Sequence, residues 1–166
     1  MRRARARRFG LVVLGCVAFA AFRSMADSSQ PTAEGSKPTI YKGLEISVTT
    51  LERAASVSLQ DCPPGDNSVR GVIRPNEENE FATVRIDVKV LSTFEPVPIE
   101  KPMLYDESGK VYKTAQSFGE LNAQPSYSCG FSFRVPKGVK LTRFAIEDAS
   151  FELGSLEMSP NEKSLE

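Results

Sequence analysis

The chain has no histidine and no tryptophan, and only three cysteines in 166 residues. Histidine is the commonest general base and the commonest metal ligand, so its absence removes both chemistries in their usual form. The two cysteines outside the N-terminal segment, with no histidine to help, cannot complete a tetrahedral zinc shell unless carboxylates join them. The chain also lacks a Gly-x-Ser-x-Gly elbow and a glycine-rich phosphate loop after a strand. Charge of one sign is missing from one region. Lys plus Arg and Asp plus Glu are equal at 21 each, yet Arg2, Arg3, Arg5, Arg7, Arg8 and Arg23 all precede the first acid, Asp27. From Asp27 onward the chain is therefore acidic by six. Such a domain repels phosphate backbones, which argues against a nucleic-acid partner.

What is present at the N-terminus is a leader. Five arginines precede an apolar run, Phe9–Phe22, and Ser24-Met25-Ala26 supplies small residues ahead of Asp27. That order is the order of an export signal, with cleavage between Ala26 and Asp27. Two other fates stay open. The run falls short of the roughly 20 residues a spanning helix needs, but it could be retained as an anchor. Val13-Leu14-Gly15-Cys16 is also close to a bacterial lipobox, in which Cys16 would be acylated, although Val17–Phe22 continues the apolar run beyond it. Membrane contact is expected through this segment alone.

Each fate delivers the rest of the chain outside a reducing cytosol, with Cys62 and Cys129 as its cysteines. Two cysteines in an oxidising compartment tend to pair, and a Cys62–Cys129 bridge is expected. Closing that loop of about 68 residues stabilises by roughly 4 kcal/mol in the chain-entropy picture. The alternative is a buried, unpaired Cys129 and an exposed Cys62 thiol in its Pro-Pro-Gly loop.

The remainder reads as strands. Ala82, Val84, Ile86, Val88 and Val90 alternate with Thr83, Arg85, Asp87 and Lys89, the cleanest period of two in the chain. Tyr127, Cys129, Phe131, Phe133 and Val135 share one face of a second strand that ends at Pro136, and this strand is expected inside its sheet. Leu44–Thr50 is a first strand, with continuation favoured over Glu52–Leu59; Val69–Ile73 and Leu141–Ile146 are others, and Phe151 and Leu153 extend the last or begin one more. Asp106-Glu-Ser-Gly-Lys110 marks a hairpin turn, with Gly109 free to take positive φ. Asn76–Glu80 reads as a solvated acidic loop and not a calcium site, because the alternating donors are missing. The expected architecture is an all-β sandwich of about seven strands. Its organisation is a leader over 1–26, a flexible linker over 27–39, the sandwich over 40–154 and a frayed tail over 155–166.

Three stretches, Val84–Val90, Leu104–Tyr112 with its Asp-x-x-Gly-x-x-Tyr spacing, and Gly130-Phe-Ser-Phe-Arg-Val-Pro-Lys-Gly138, together resemble a family of exported bacterial domains of unknown function. The resemblance covers Leu44–Ile146 and implies a telokin-like, immunoglobulin-like β-sandwich. The chain departs from that family's pattern at Leu91-Ser92-Thr93 and at Asn122–Pro125. The resemblance implies lipoproteins, secreted antigens and tethered envelope domains, and carries no catalytic residues. Tyr127-Ser-Cys129 is also similar to the Tyr-x-Cys of immunoglobulin domains. With no tryptophan to pack on a bridge and Cys62 in a proline turn, a loop-to-strand disulfide is expected instead of a pin between sheets.

The resulting expectation is a non-catalytic extracytoplasmic module that binds a protein or envelope component, with no cofactor and no metal. A structural or chaperone-like component acting by strand addition is the alternative. An enzyme would have to draw on pairs such as Asp106/Glu107 or Glu147/Asp148, whose adjacent members point to opposite faces of a strand.

Overall fold

The computed structural model describes residues 36–65, 69–154 and 156. The expected leader, with Cys16 and Ala26, most of the expected linker, with Asp27, and all of the tail but Leu156 lie outside the described residues. Ten strands are present among those described: β1 Thr39–Tyr41, β2 Leu44–Ala54, β3 Val57–Gln60, β4 Val69–Ile73, β5 Asn79–Val90, β6 Met103–Asp106, β7 Val111–Lys113, β8 Ser126–Pro136, β9 Leu141–Ile146 and β10 Ala149–Glu152. Every pairing between these strands is antiparallel. Sheet I has the order β1-β2-β5-β8, sheet II the order β10-β9-β6-β7, and β3 and β4 form a separate hairpin. The two four-stranded sheets pack as a β-sandwich.

The alternating side chains explain the layering. In sheet I the pairs Ile46↔Val88, Val48↔Ile86, Val88↔Tyr127, Ile86↔Cys129 and Val84↔Phe131 place one apolar face across three strands. Sheet II answers with Leu104, Tyr112, Phe144, Ile146 and Phe151. Phe144 sits at the centre, its ring 6.3 Å from Phe131, 6.2 Å from Phe133 and 6.0 Å from Phe151. Tilted and edge-on aromatic pairs at such distances add about 0.5–1.5 kcal/mol each beyond the area they bury.

One irregularity keeps β2 in step with this core. Leu44, Ile46 and Val48 face inward, and strict alternation would then turn Leu51 outward. The register shifts between Val48 and Thr50, so Thr49 is an extra residue and Leu51 returns to the buried face. A bulge is the ordinary device for such a change of parity.

Several expectations need correction. The count is ten, not about seven, because hairpins at β1–β2, β3–β4 and β9–β10 each add a short strand. The continuation after Thr50 is real as far as Ala54, where the chain breaks and restarts as β3. Asn79 and Glu80 belong to β5, so the acidic loop is shorter than expected. Ser36 is already attached to the sheet through its amide and hydroxyl to Val48, and Thr39 pairs with Ile46, so the fold begins before residue 40. Leu156, expected in a frayed tail, is only 1% exposed and its amide bonds to the Leu153 carbonyl.

The largest correction concerns β8, which was expected inside its sheet and instead ends sheet I. Burial of its aromatics reports the layer packed over them and says nothing about which strands lie beside it. Its free side is closed by other means. After β7 the chain leaves sheet II, and Thr114 pairs with Phe133 of β8. Two residues later the buried side chain of Gln116 takes the place of a neighbouring strand.

Candidate functional site

Three polar side chains are held tightly enough to be candidates for chemistry: Glu147, Asp106 and Gln116. Glu147 follows β9 in the two-residue connection Glu147–Asp148, and its φ is +49°. Lys42 opens the two-residue connection of β1 and β2, with φ +47° followed by +75° at Gly43. Positive φ at both central residues matches the right-handed twist of a hairpin, but non-glycine residues there are strained. The two strained residues meet. Lys42 Nζ donates to Glu147 Oε2 at 2.5 Å, the Tyr41 hydroxyl donates to the same oxygen, and the Glu100 amide donates to Oε1 at 2.9 Å.

The Lys42 ammonium and the Tyr41 hydroxyl hold the Glu147 carboxyl down at about 2, with the Glu100 amide assisting. Accepting from them, Glu147 pushes both the Tyr41 hydroxyl and the Lys42 ammonium upward. A carboxylate this weakly basic and a lysine this firmly protonated are the reverse of what proton transfer near neutral pH requires. The group works as a clasp joining a turn of sheet I to a turn of sheet II.

Asp106 ends β6 and is buried. Its Oδ1 accepts from the Ser108 hydroxyl at 2.6 Å, the Ser108 amide at 2.9 Å and the Lys110 amide at 3.0 Å, while Oδ2 accepts from the Tyr112 hydroxyl at 2.8 Å. The Ser108 and Tyr112 hydroxyls hold this carboxyl at about 2 as well, and burial together with Asp106 pushes Tyr112 to about 12. Gly109, at φ +82°, closes the turn with its amide on the Asp106 carbonyl.

The register of sheet II separates these carboxylates. Met103 pairs with Ala145 and Asp106 with Leu141, so Asp106 lies at the start of β9 and Glu147 just past its end. At about 3.3 Å per residue that is roughly 20 Å, well beyond the spacing of a carboxyl pair sharing one bond. Within each sequence-adjacent pair the second member faces solvent: Glu107 reaches Lys140 at 3.6 Å, and Asp148 is exposed. Neither pair is assembled into a two-carboxylate site.

Gln116 is 1% exposed and spans three backbones. Its Nε2 donates to the Gly130 carbonyl at 2.6 Å and the Gln60 carbonyl at 2.5 Å, and its Oε1 accepts from the Ser132 amide at 2.7 Å. A side-chain amide thus reproduces the donor and acceptor that a neighbouring strand would offer β8. Beside it the Cys62 amide bonds to the Ser117 carbonyl at 3.0 Å and the Gly119 amide to the Cys62 carbonyl at 2.7 Å. Cys62 is joined to Cys129 of β8, with Cα atoms 5.6 Å apart. The expected pair is therefore brought together, loop to strand, and Cys62 is not the exposed thiol of the alternative reading.

Among the described residues, no three of His, Cys, Asp and Glu are grouped to hold a metal ion. Asn76 and Asn79 close a turn on each other at the head of β5. Tyr127 Oη is the buried side-chain atom without a hydrogen-bond partner among those described, and burial pushes its hydroxyl to about 12. The roles of Tyr41, Lys42 and Gln116 were not foreseen. Lys42-Gly43 before the Leu44 strand is a legible two-residue turn; nothing in the order of residues marks Gln116.

No protein-family model matches the chain, and no curated protein matches it. Among solved structures it is similar to an uncharacterised β-sandwich protein from Clostridium difficile 630, with 11% identity over 69% of this chain and 87% of that one and a TM-score of 0.42. The resemblance read across Leu44–Ile146 thus stands without a family-model match.

Proposed function

We propose that the chain is a non-catalytic, immunoglobulin-like interaction module of the bacterial cell envelope, exported by its leader and presented on the linker. The observation that carries the reading is the commitment of its two strongly acidified carboxylates, and of the buried Gln116 amide, to internal bonds. Glu147 and Asp106 each spend both oxygens on donors of the chain's own turns, strands and loops, and Gln116 spends its amide on β8 and the Gln60 carbonyl. Export is supported by the arginine-led apolar run and by a disulfide that suits an oxidising compartment. A pull-down from envelope extract with the purified domain tests the binding role, and turnover in a broad hydrolase panel would overturn it. The mature N-terminus separates the leader's fates: Asp27 means cleavage, an acylated Cys16 means a lipoprotein, and an intact leader means a retained anchor.

A second reading, strand addition, is favoured by β4. This strand pairs only with β3 among the described residues, and Val72 on it is 68% exposed. Replacing Val72 with Lys would then abolish partner capture, whereas a loop-mediated contact would survive it.

A further inference from the structure

The β3–β4 hairpin is a two-stranded sheet that pairs with no other strand among the described residues. Two-stranded hairpins are marginal by themselves, so this one depends on what pins it to the sandwich. The pins converge on its end at Gln60–Cys62. The Gln60 carbonyl accepts from Gln116, Asp61 Oδ1 accepts from the Ser117 amide at 2.8 Å, and Cys62 is bonded to Ser117, Gly119 and, covalently, Cys129. The segment 114–119 has its own hold on β8 through Thr114↔Phe133, through Gln116, and through Phe118, whose ring lies 4.9 Å from Phe131.

We propose that Cys62–Cys129 is a redox latch: its reduction releases the β3–β4 hairpin as a flap while sheets I and II, and the Gln116 closure of β8, stay in place. The inference is independent of the binding role proposed above. The reaction needs a dithiol reductant. One of its thiolates attacks Cys129 Sγ, the partner that is 7% exposed where Cys62 is fully buried. The Cys62–Cys129 bond breaks, Cys62 leaves as a thiolate and takes up a proton, and a mixed disulfide forms on Cys129. The second thiolate of the reductant displaces Cys129, which is protonated in turn. Two electrons and two protons reach the cysteines, and the reductant becomes a disulfide.

Amide hydrogen exchange on the full chain, oxidised and after treatment with a dithiol such as dithiothreitol, tests this. The expected result is a loss of protection of at least about tenfold across Val57–Cys62 and Val69–Ile73, with protection in β2, β5 and β9 retained, the signature of a sub-global opening. Exchange that accelerates uniformly through β2, β5 and β9 as well would overturn the latch, because the bond would then brace the whole domain. Unchanged exchange in the hairpin, with reduction verified by mass, would overturn it equally. The Cys62→Ser and Cys129→Ser double variant should reproduce the reduced pattern without any reductant. Oxidised Gln116→Ala should keep the hairpin protected and lose protection at Ser132.

Discussion

Glu147 and Asp106 are both carboxylates at hairpin ends of sheet II, and both are held at about 2. They reach that state by different routes. Asp106 takes all four of its donors from residues 108–112 of its own hairpin. Glu147 takes its donors from residues 41, 42 and 100, on other parts of the chain. The first network is local and built largely of neutral donors; the second is long-range and charge-assisted. Equal acidity therefore conceals unequal dependence on the fold: the Asp106 turn needs its hairpin, whereas the Glu147 clasp needs both sheets in register.

Two glycines break the comparison most sharply. Gly43, in the clasp turn, has φ +75°, and a Cβ built there would lie 2.4 Å from the Phe94 Cα. Gly109, in the Asp106 turn, has φ +82° and open space around it. Gly43→Ala should cost about 2–5 kcal/mol, from left-handed strain plus overpacking against backbone. Gly109→Ala should cost about 1–2 kcal/mol from strain alone. Denaturant unfolding gives both values, and equal losses would dismiss the claim that tertiary contact distinguishes the turns.

Gln116→Ala comes next. It strips the Gly130 carbonyl and the Ser132 amide of their partner at the edge of sheet I, and should cost about 2–4 kcal/mol. A loss under about 0.5 kcal/mol would show that water replaces the amide and that β8 needs no substitute neighbour.

Acid should reveal both carboxylates. Each is lowered in the folded state, from ordinary values of 4.5 for Glu147 and 3.8 for Asp106. The stability they confer is thus complete above those values and is lost as pH falls through about 2. Melting temperature followed from pH 6 to pH 2 should drop first in the Glu147 window. Glu147→Gln should flatten the upper part of that drop, and Asp106→Asn the lower part.

The smallest effect is salt. At about 1 M salt the screening length is about 3 Å, and the Lys42 ammonium is partly exposed. The destabilisation caused by Glu147→Gln should shrink in salt, while that of Asp106→Asn, which removes an acceptor from neutral donors, should not. Parallel salt responses would remove the distinction between charge-assisted and neutral locking.

The same division runs through what could be read without coordinates. Asp106-Glu-Ser-Gly-Lys110 announced its turn because a turn is chemistry among neighbours. Ala82–Val90 and Leu141–Ile146 announced themselves because alternation is a property of a single strand, and β9 has the bounds expected of it. The meeting of Glu147 with Lys42 could not be announced. It depends on two sheets stacking so that their turns fall at one end, and residues 105 positions apart carry no mark of that.

By itself the sequence determined the faces of the strands, the punctuation by turns, the arginine-rich start ahead of an apolar run and the pair of cysteines available to bridge. Each follows from local geometry or from counting. Only the tertiary structure decided that the aromatic strand β8 ends its sheet, that a bulge at Thr49 returns Leu51 to the core, and that Gln116 stands in for a missing strand. A side chain's inward or outward sense is set every second residue along its own strand. Which strand lies beside it is set by the closure of the whole sandwich, where a distant amide can satisfy an edge as well as a neighbour can.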